Sequence, residues 1–219
     1  MTAELDAWID KMPIIAIIRG VLPSQAVDVG TAIYEAGIGI IEVPLNSPAP
    51  FESIKRLNKT LGDKCIIGCG TLLSNENARR VADAGGKIAI TPNTNPSIIK
   101  CCIDLGLTPI PGWATPTEAL LAYQAGARYL KLFPAATYGV KHMQAVRAVL
   151  PDDAKILAVG GIGSSKAIKE WLTAGACGLG IGSEIYNAGR NPSEVHQRAL
   201  EIARATRLSC STYTEQIHK

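Results

Sequence analysis

The chain is poor in the residues from which metal and redox centres are usually built. Of its 219 residues only three are histidine, His142, His196 and His218, and they stand far apart. Such spacing gives a zinc site little support. Six cysteines occur, Cys65, Cys69, Cys101, Cys102, Cys177 and Cys210, yet no two form a Cys-x-x-Cys pair. Most lie in apolar runs, where a free thiol packs as a small hydrophobe, and a reduced, cytoplasmic protein is expected. No block of Lys and Arg interleaved with aromatics is present, which argues against a nucleic-acid partner. No apolar run reaches membrane-spanning length, and the N-terminus lacks the basic-then-apolar order of a signal peptide, so no membrane partner is expected. Missing too is a Gly-x-Gly-x-x-Gly at the opening of the first unit, which disfavours a doubly wound dinucleotide-binding sheet.

What remains is a chain with 47% hydrophobic and 19% charged residues, a globular composition long enough to bury a full core. The net charge of +3 is compatible with an anionic small substrate without arguing for one. Helix stops recur along it. Gly37, Gly62, Gly85, Gly106, Gly126, Pro151 and Gly175 are separated by 25, 23, 21, 20, 25 and 24 residues, close to one helix plus one strand. Apolar runs at 14–18, 38–43, 65–69, 87–91, 107–111, 129–133, 155–159 and 177–181 read as eight strands covered on both faces. Helix starts are marked by Pro23-Ser24, Ser74-Asn75-Glu76, Asn95-Pro96-Ser97 and Thr115-Pro116-Thr117-Glu118, each a capping side chain or a proline in the first turn. A further amphipathic stretch at 2–11 is placed to cap a barrel floor. Eight βα units predict an α/β protein, a (β/α)₈ TIM barrel with a short N-terminal helix, as one domain over 1–219.

Active sites of such barrels lie at the C-terminal ends of the strands. Three of the apolar strands carry a charge near that end: Arg19 after the first, Glu42 on the second, Lys131 on the sixth. Burying one unpaired charge is unfavourable, so a shared polar cavity accounts for all three together. Two readings fit them. In one, Lys131 is a desolvated amine of lowered pKa and therefore a nucleophile toward carbonyl carbon. In the other, Glu42 and Lys131 form a structural ion pair and Arg19 is solvated at the rim. Strand seven ends in Val159-Gly160-Gly161-Ile162-Gly163 before Ser164, and strand eight in Gly180-Ile181-Gly182-Ser183. Glycines here let backbone N–H groups approach an anion, and loops seven and eight are the usual phosphate cradle of the fold, although glycines also serve tight turns. Thr71, Thr91-Pro92-Asn93 and Pro111-Gly112-Trp113 complete the rim, each equally explicable as turn chemistry. His142 reads as a surface or interface histidine.

The motifs Ile41-Glu42-Val43-Pro44-Leu45-Asn46-Ser47-Pro48, Gly68-Cys69-Gly70-Thr71, Thr91-Pro92-Asn93, Lys131-Leu132-Phe133-Pro134 and Val159-Gly160-Gly161 resemble those of the 2-keto-3-deoxy-6-phosphogluconate aldolase family, in order and at its spacing from about residue 13 to about residue 198. The resemblance implies a class I aldolase on a (β/α)₈ barrel, needing no metal and no cofactor and usually homotrimeric. Its substrate would be a phosphorylated keto-deoxy sugar acid, its products pyruvate and D-glyceraldehyde 3-phosphate. On that resemblance Lys131 is the Schiff-base lysine and Glu42 the acid/base group. Arg19 meets the substrate, Thr71 lies near the pyruvyl end, and Gly161, Gly182 and Ser183 bind phosphate. Two positions depart from the gluconate-type pattern: Val159 stands where threonine is common, and Asn46 occupies a loop where some members carry arginine. Both departures agree with a branch acting on the galactonate epimer, with Val159 as the side chain that reads the C4 hydroxyl. A broad gluconate-type or 4-hydroxy-2-oxoglutarate aldolase is the alternative among enzymes, and a phosphosugar-binding barrel the alternative outside them.

Overall fold

The structure, a computed structural model, describes residues 2–217; of the three histidines, His218 lies outside them. The chain opens with helix α1 (Thr2–Lys11) and strand β1 (Ile14–Ile17), then alternates helix with strand save for one pair of consecutive strands. The first half runs α2 (Pro23–Glu35), β2 (Ile40–Pro44), α3 (Pro50–Leu61), β3 (Ile66–Gly70), α4 (Asn75–Asp83), β4 (Ile88–Ile90) and α5 (Pro96–Asp104). The second half runs β5 (Thr108–Ile110), β6 (Gly112–Trp113), α6 (Pro116–Gln124), β7 (Tyr129–Leu132), α7 (Ala135–Arg147), β8 (Lys155–Val159), α8 (Ser165–Thr173), β9 (Gly178–Ile181) and α9 (Pro192–Ile217). Every strand pairing is parallel, in the order β5-β4-β3-β2-β1-β9-β8-β7-β6. Because β5 and β6 are consecutive in the chain, the two ends of that order meet and the sheet closes into a (β/α)₈ barrel.

The expected fifth strand is corrected here. It runs on past residue 111 and is split in two by Pro111, which has no N–H to give to a ladder. Its carbonyl still accepts from Lys131 N at 2.8 Å, so the seam between β5 and β7 is hydrogen-bonded through the break. The second strand also begins two residues later than its apolar run. Gly39 lies directly under the Trp8 indole, where an added Cβ would fall 2.3 Å from ring carbon, so this lead-in packs on α1 before the strand begins.

The marked helix starts form as their capping chemistry requires. Ser74 Oγ accepts from Asn77 N, and Asn95 Oδ1 accepts from Ser97 N and Ile98 N. Thr115 and Glu118 make a reciprocal capping box at α6. Five of the glycine stops, Gly37, Gly85, Gly106, Gly126 and Gly175, take φ between 75° and 110°, which favours glycine; Gly62 ends its helix at φ −61° without needing that freedom.

Side-chain parity divides the core. One parity of each strand packs outward against the helices, as Ile14, Ala16, Ile41, Val43, Leu130, Leu132, Ile156 and Ala158 do. The other fills the barrel with Ile15, Ile40, Ile66, Ile88, Ile90, Ile110, Tyr129 and Leu157, joined by Leu5 and Ile9 from α1. Helix α1 therefore closes the floor, as its amphipathic pattern predicts. Asp6 fastens it there, accepting from the Tyr129 hydroxyl and from Lys155 Nζ at 2.5 Å. Tyr129 and Lys155 are the first residues of their strands, so this polar clasp sits at the end opposite the chemistry. Among the described residues no helix is long and apolar enough to cross a membrane.

Candidate active site

Strand periodicity carries the inward parity upward from the apolar plug. Two residues beyond Ile40 comes Glu42, two beyond Tyr129 comes Lys131, and two beyond Leu157 comes Val159. Register places Glu42 beside Ile17 and Gly68, and Lys131 beside Gly112 and Leu157. A second interior layer thus lies directly above the plug, with a carboxylate and an amine where the first layer has isoleucine and tyrosine. Above it opens a cavity of about 340 Å³. All eight residues singled out from the sequence line it: Arg19, Glu42, Thr71, Lys131, Val159, Gly161, Gly182 and Ser183.

Glu42 and Lys131 are 3% and 7% exposed. Burial acts on each toward its neutral form. It pushes the Glu42 carboxyl up to about 6, against the opposing pull of Lys131 and Arg19. It lowers Lys131 from the ordinary lysine range, with Glu42 opposing and Arg19 assisting. One carboxylate oxygen, Oε2, is buried without a hydrogen-bond partner. It lies over Gly70, where an added Cβ would fall 1.6 Å away, so any side chain at 70 would displace the carboxylate. Lys131 Nζ stands 4.5 Å from the centre of the Phe133 ring, whose face stabilises the ammonium modestly and narrows the space around it. An amine of lowered pKa sharing a cavity with a carboxylate of raised pKa is an arrangement suited to carbonyl addition and proton transfer.

Arg19 reaches this layer from the end of β1, and its guanidinium is held on two sides. Nη1 donates to Asn46 Oδ1 and Nη2 to Thr71 Oγ1 at 3.4 Å. Thr71 adopts φ 56°, a left-handed conformation uncommon for a threonine, directly after β3. Asn46 is a residue that sequence reasoning treated only as a departure from a pattern; its partnership with Arg19 joins loops 27 residues apart and has no signal in either loop alone.

The glycine loops follow the next two strands round the barrel from β1, β9 and β8. Gly160 and Gly161 take φ 103° and 74°, and a Cβ at Gly161 would fall 2.5 Å from the Ala136 methyl. Ser164 then caps α8 by accepting from Ala167 N. After β9, Gly182 O accepts from Ile185 N and Tyr186 N, while Ser183 Oγ donates to Glu184 Oε2 at 2.9 Å. Glu184, Tyr186 and Asn187 also line the cavity and were missed in the sequence. Pro92 and Phe133 line it too, whereas Thr91 is spent on a turn, donating to Asn93 O at 2.5 Å and accepting from Gly112 N. His142 is half-buried outside the cavity, with Nε2 2.8 Å from Ala114 O. Among the described residues no group of three or more His, Cys, Asp or Glu is placed to hold a metal ion.

The Glu42 shift carries a sign that stability can report. A carboxyl whose pKa rises on folding binds its proton more tightly in the native state, so ionising it destabilises the fold as pH rises. From an ordinary 4.5 to about 6, the penalty is complete above pH 7 and amounts to about 2 kcal/mol. Glu42→Gln should therefore gain about 2 kcal/mol on the unaltered protein between pH 4.5 and pH 7.5. Urea unfolding at the two pH values measures this, and a difference independent of pH would contradict the burial of a charged carboxylate.

A family model described as KDPG and KHG aldolase matches residues 5–200. The 2-dehydro-3-deoxy-6-phosphogalactonate aldolase of Escherichia coli (strain K12) is 39% identical over 200 residues, covering 91% of this chain and 97% of its own. A Rhizobium meliloti (strain 1021) protein named "Probable 2-dehydro-3-deoxy-6-phosphogalactonate aldolase" is 43% identical over 190 residues, 87% of this chain and 89% of its own. The solved native KDPGal structure superposes with a TM-score of 0.89 at 38% identity, over 92% of this chain and 97% of that one. Matched from the floor helix into α9, and by relatives that it covers nearly end to end, the chain belongs to the KDPG and KHG aldolase family.

Proposed function

We propose that the chain is a class I aldolase, a carbon–carbon lyase that splits 2-dehydro-3-deoxy-6-phospho-D-galactonate into pyruvate and D-glyceraldehyde 3-phosphate during D-galactonate degradation in the cytoplasm. The observation that carries this reading is Lys131, a buried inward amine of lowered pKa sharing one cavity with the carboxylate of Glu42. Family membership and the names of the two relatives support the substrate class.

In the proposed mechanism neutral Lys131 attacks the C2 ketone, and the carbinolamine loses water to give an iminium. Glu42, ionised above its pKa of about 6, removes the C4 hydroxyl proton directly or through a water. The C3–C4 bond then breaks, its electrons pass into the iminium, and the aldehyde departs. Protonation of the resulting enamine at C3 and hydrolysis release pyruvate and restore the lysine. Arg19, steadied by Asn46 and Thr71, holds the carboxylate. Gly161, Gly182 and Ser183 hold the phosphate through backbone N–H groups and a hydroxyl. Fixing both ends aligns C2 with Nζ before reaction. Val159, inward and 7% exposed, has no group to hydrogen-bond a C4 hydroxyl, which supports the galactonate configuration over the gluconate one. The same family reading carries a homotrimer.

Borohydride added with pyruvate should fix a covalent adduct on the peptide holding Lys131; a folded protein showing no mass gain there would rule out the Schiff base. Turnover of the two C4 epimers, assayed side by side, should favour the galactonate form. In Val159→Thr the ratio of kcat/KM values should move toward the gluconate form by about tenfold, the scale of one hydrogen bond, and an unaltered ratio would remove Val159 from selectivity. Light scattering should give a mass three times the 23.1 kDa of one chain; a monomer mass would count against the trimer.

A further inference from the structure

The phosphate end assigned above contains a residue of the wrong charge. Glu184 lines the same cavity as Gly161, Gly182 and Ser183, and its Oε2 accepts the Ser183 hydroxyl at 2.9 Å. Its side chain also lies across the neighbouring glycine loop: a Cβ on Gly163 would fall 2.1 Å from Glu184 Cγ and 2.9 Å from Oε1. The carboxylate thus spans the two loops between which a phosphoryl group would sit. Of the lysine and arginine that line this cavity, Lys131 stands over the Phe133 ring and Arg19 donates to Asn46 and Thr71. Arg190 does touch the loop, donating to Ser183 O at 3.1 Å and Ile185 O at 2.9 Å, but it does not line the cavity and is paired with Glu194 at 3.1 Å. Among the described residues no lysine or arginine forms a salt bridge with Glu184.

We propose that Glu184 is a built-in competitor for the phosphoryl group. Its carboxylate takes up the Ser183 hydroxyl and holds negative charge across Gly163, so a phosphate dianion must displace it and binds more weakly than the two loops alone would permit. Like charges at this range repel appreciably in a partly enclosed site. The effect falls on the fragment that carries the phosphate, and it sets how tightly that fragment is retained after the bond breaks. Glu184 is then a specificity-determining residue for the phosphorylated half of the substrate. This rests on the reading of Gly161, Gly182 and Ser183 as phosphate binders.

The test is calorimetric binding of glycerol 3-phosphate to the full chain and to two variants, with circular dichroism to establish that each is folded. Glu184→Gln, which keeps the shape and removes the charge, should bind about tenfold tighter, or about 1.4 kcal/mol. Glu184→Asp, which keeps the charge, should change affinity less than twofold. Equal or weaker binding by Glu184→Gln would overturn the proposal, and so would an equal gain in Glu184→Asp, since charge would then not be the cause. Measurable binding to none of the three, with pyruvate still trapped on Lys131, would overturn the phosphate-end assignment and the proposal with it while leaving the aldolase reading standing.

Discussion

The architecture rests on taking one negative and one positive side chain out of water on the inner wall of a closed sheet. Isolated, either charge would be expelled or neutralised; together, in one layer, each offsets part of the other's desolvation, and burial still moves the pKa of each toward its neutral form. The rest of the barrel makes that possible. Ten apolar side chains below the layer, eight from strands and two from α1, keep water from beneath. Gly70 leaves room for the Glu42 carboxylate, and Gly112 lets β6 approach the Pro92 carbonyl closely, where an added Cβ would stand 2.4 Å away. The raised carboxyl and lowered amine are thus consequences of packing as much as of sequence position.

Much of this was legible in the chain. A parallel barrel covers both faces of its strands, so each appears as a short apolar run, and a charge inside such a run has few places to go. Glu42 and Lys131 could be picked out for that reason, and the helix starts could be read because capping is local chemistry between residues two or three apart. The amphipathic stretch at the N-terminus also had a single evident use, to close the floor.

The rest depends on distance in sequence. Arg19 meets Asn46 and Thr71 across 27 and 52 residues, and neither loop advertises the other. The break at Pro111 was hidden because an apolar run looks continuous whether or not every residue donates to the ladder. Glu184 reads as an ordinary turn residue until the fold brings Gly163 beneath its side chain. Local rules expose the elements and the oddly placed charges, while the company those charges keep is set by closure of the sheet.

The sealed floor has a kinetic consequence. The cavity is a cul-de-sac: the plug of isoleucines and α1 close one end, and the loops after the strands surround the other. In the proposed reaction the pyruvyl fragment stays bonded to Lys131 in the deeper layer after C3–C4 cleavage, while the aldehyde lies nearer the opening. With a single door, departure has to follow depth, so the aldehyde leaves first and pyruvate second. Run backward, the same geometry admits pyruvate before the aldehyde. In the proposed reaction the covalent bond to Lys131 already holds pyruvate until last, and the closed floor makes the spatial order agree with the chemical one.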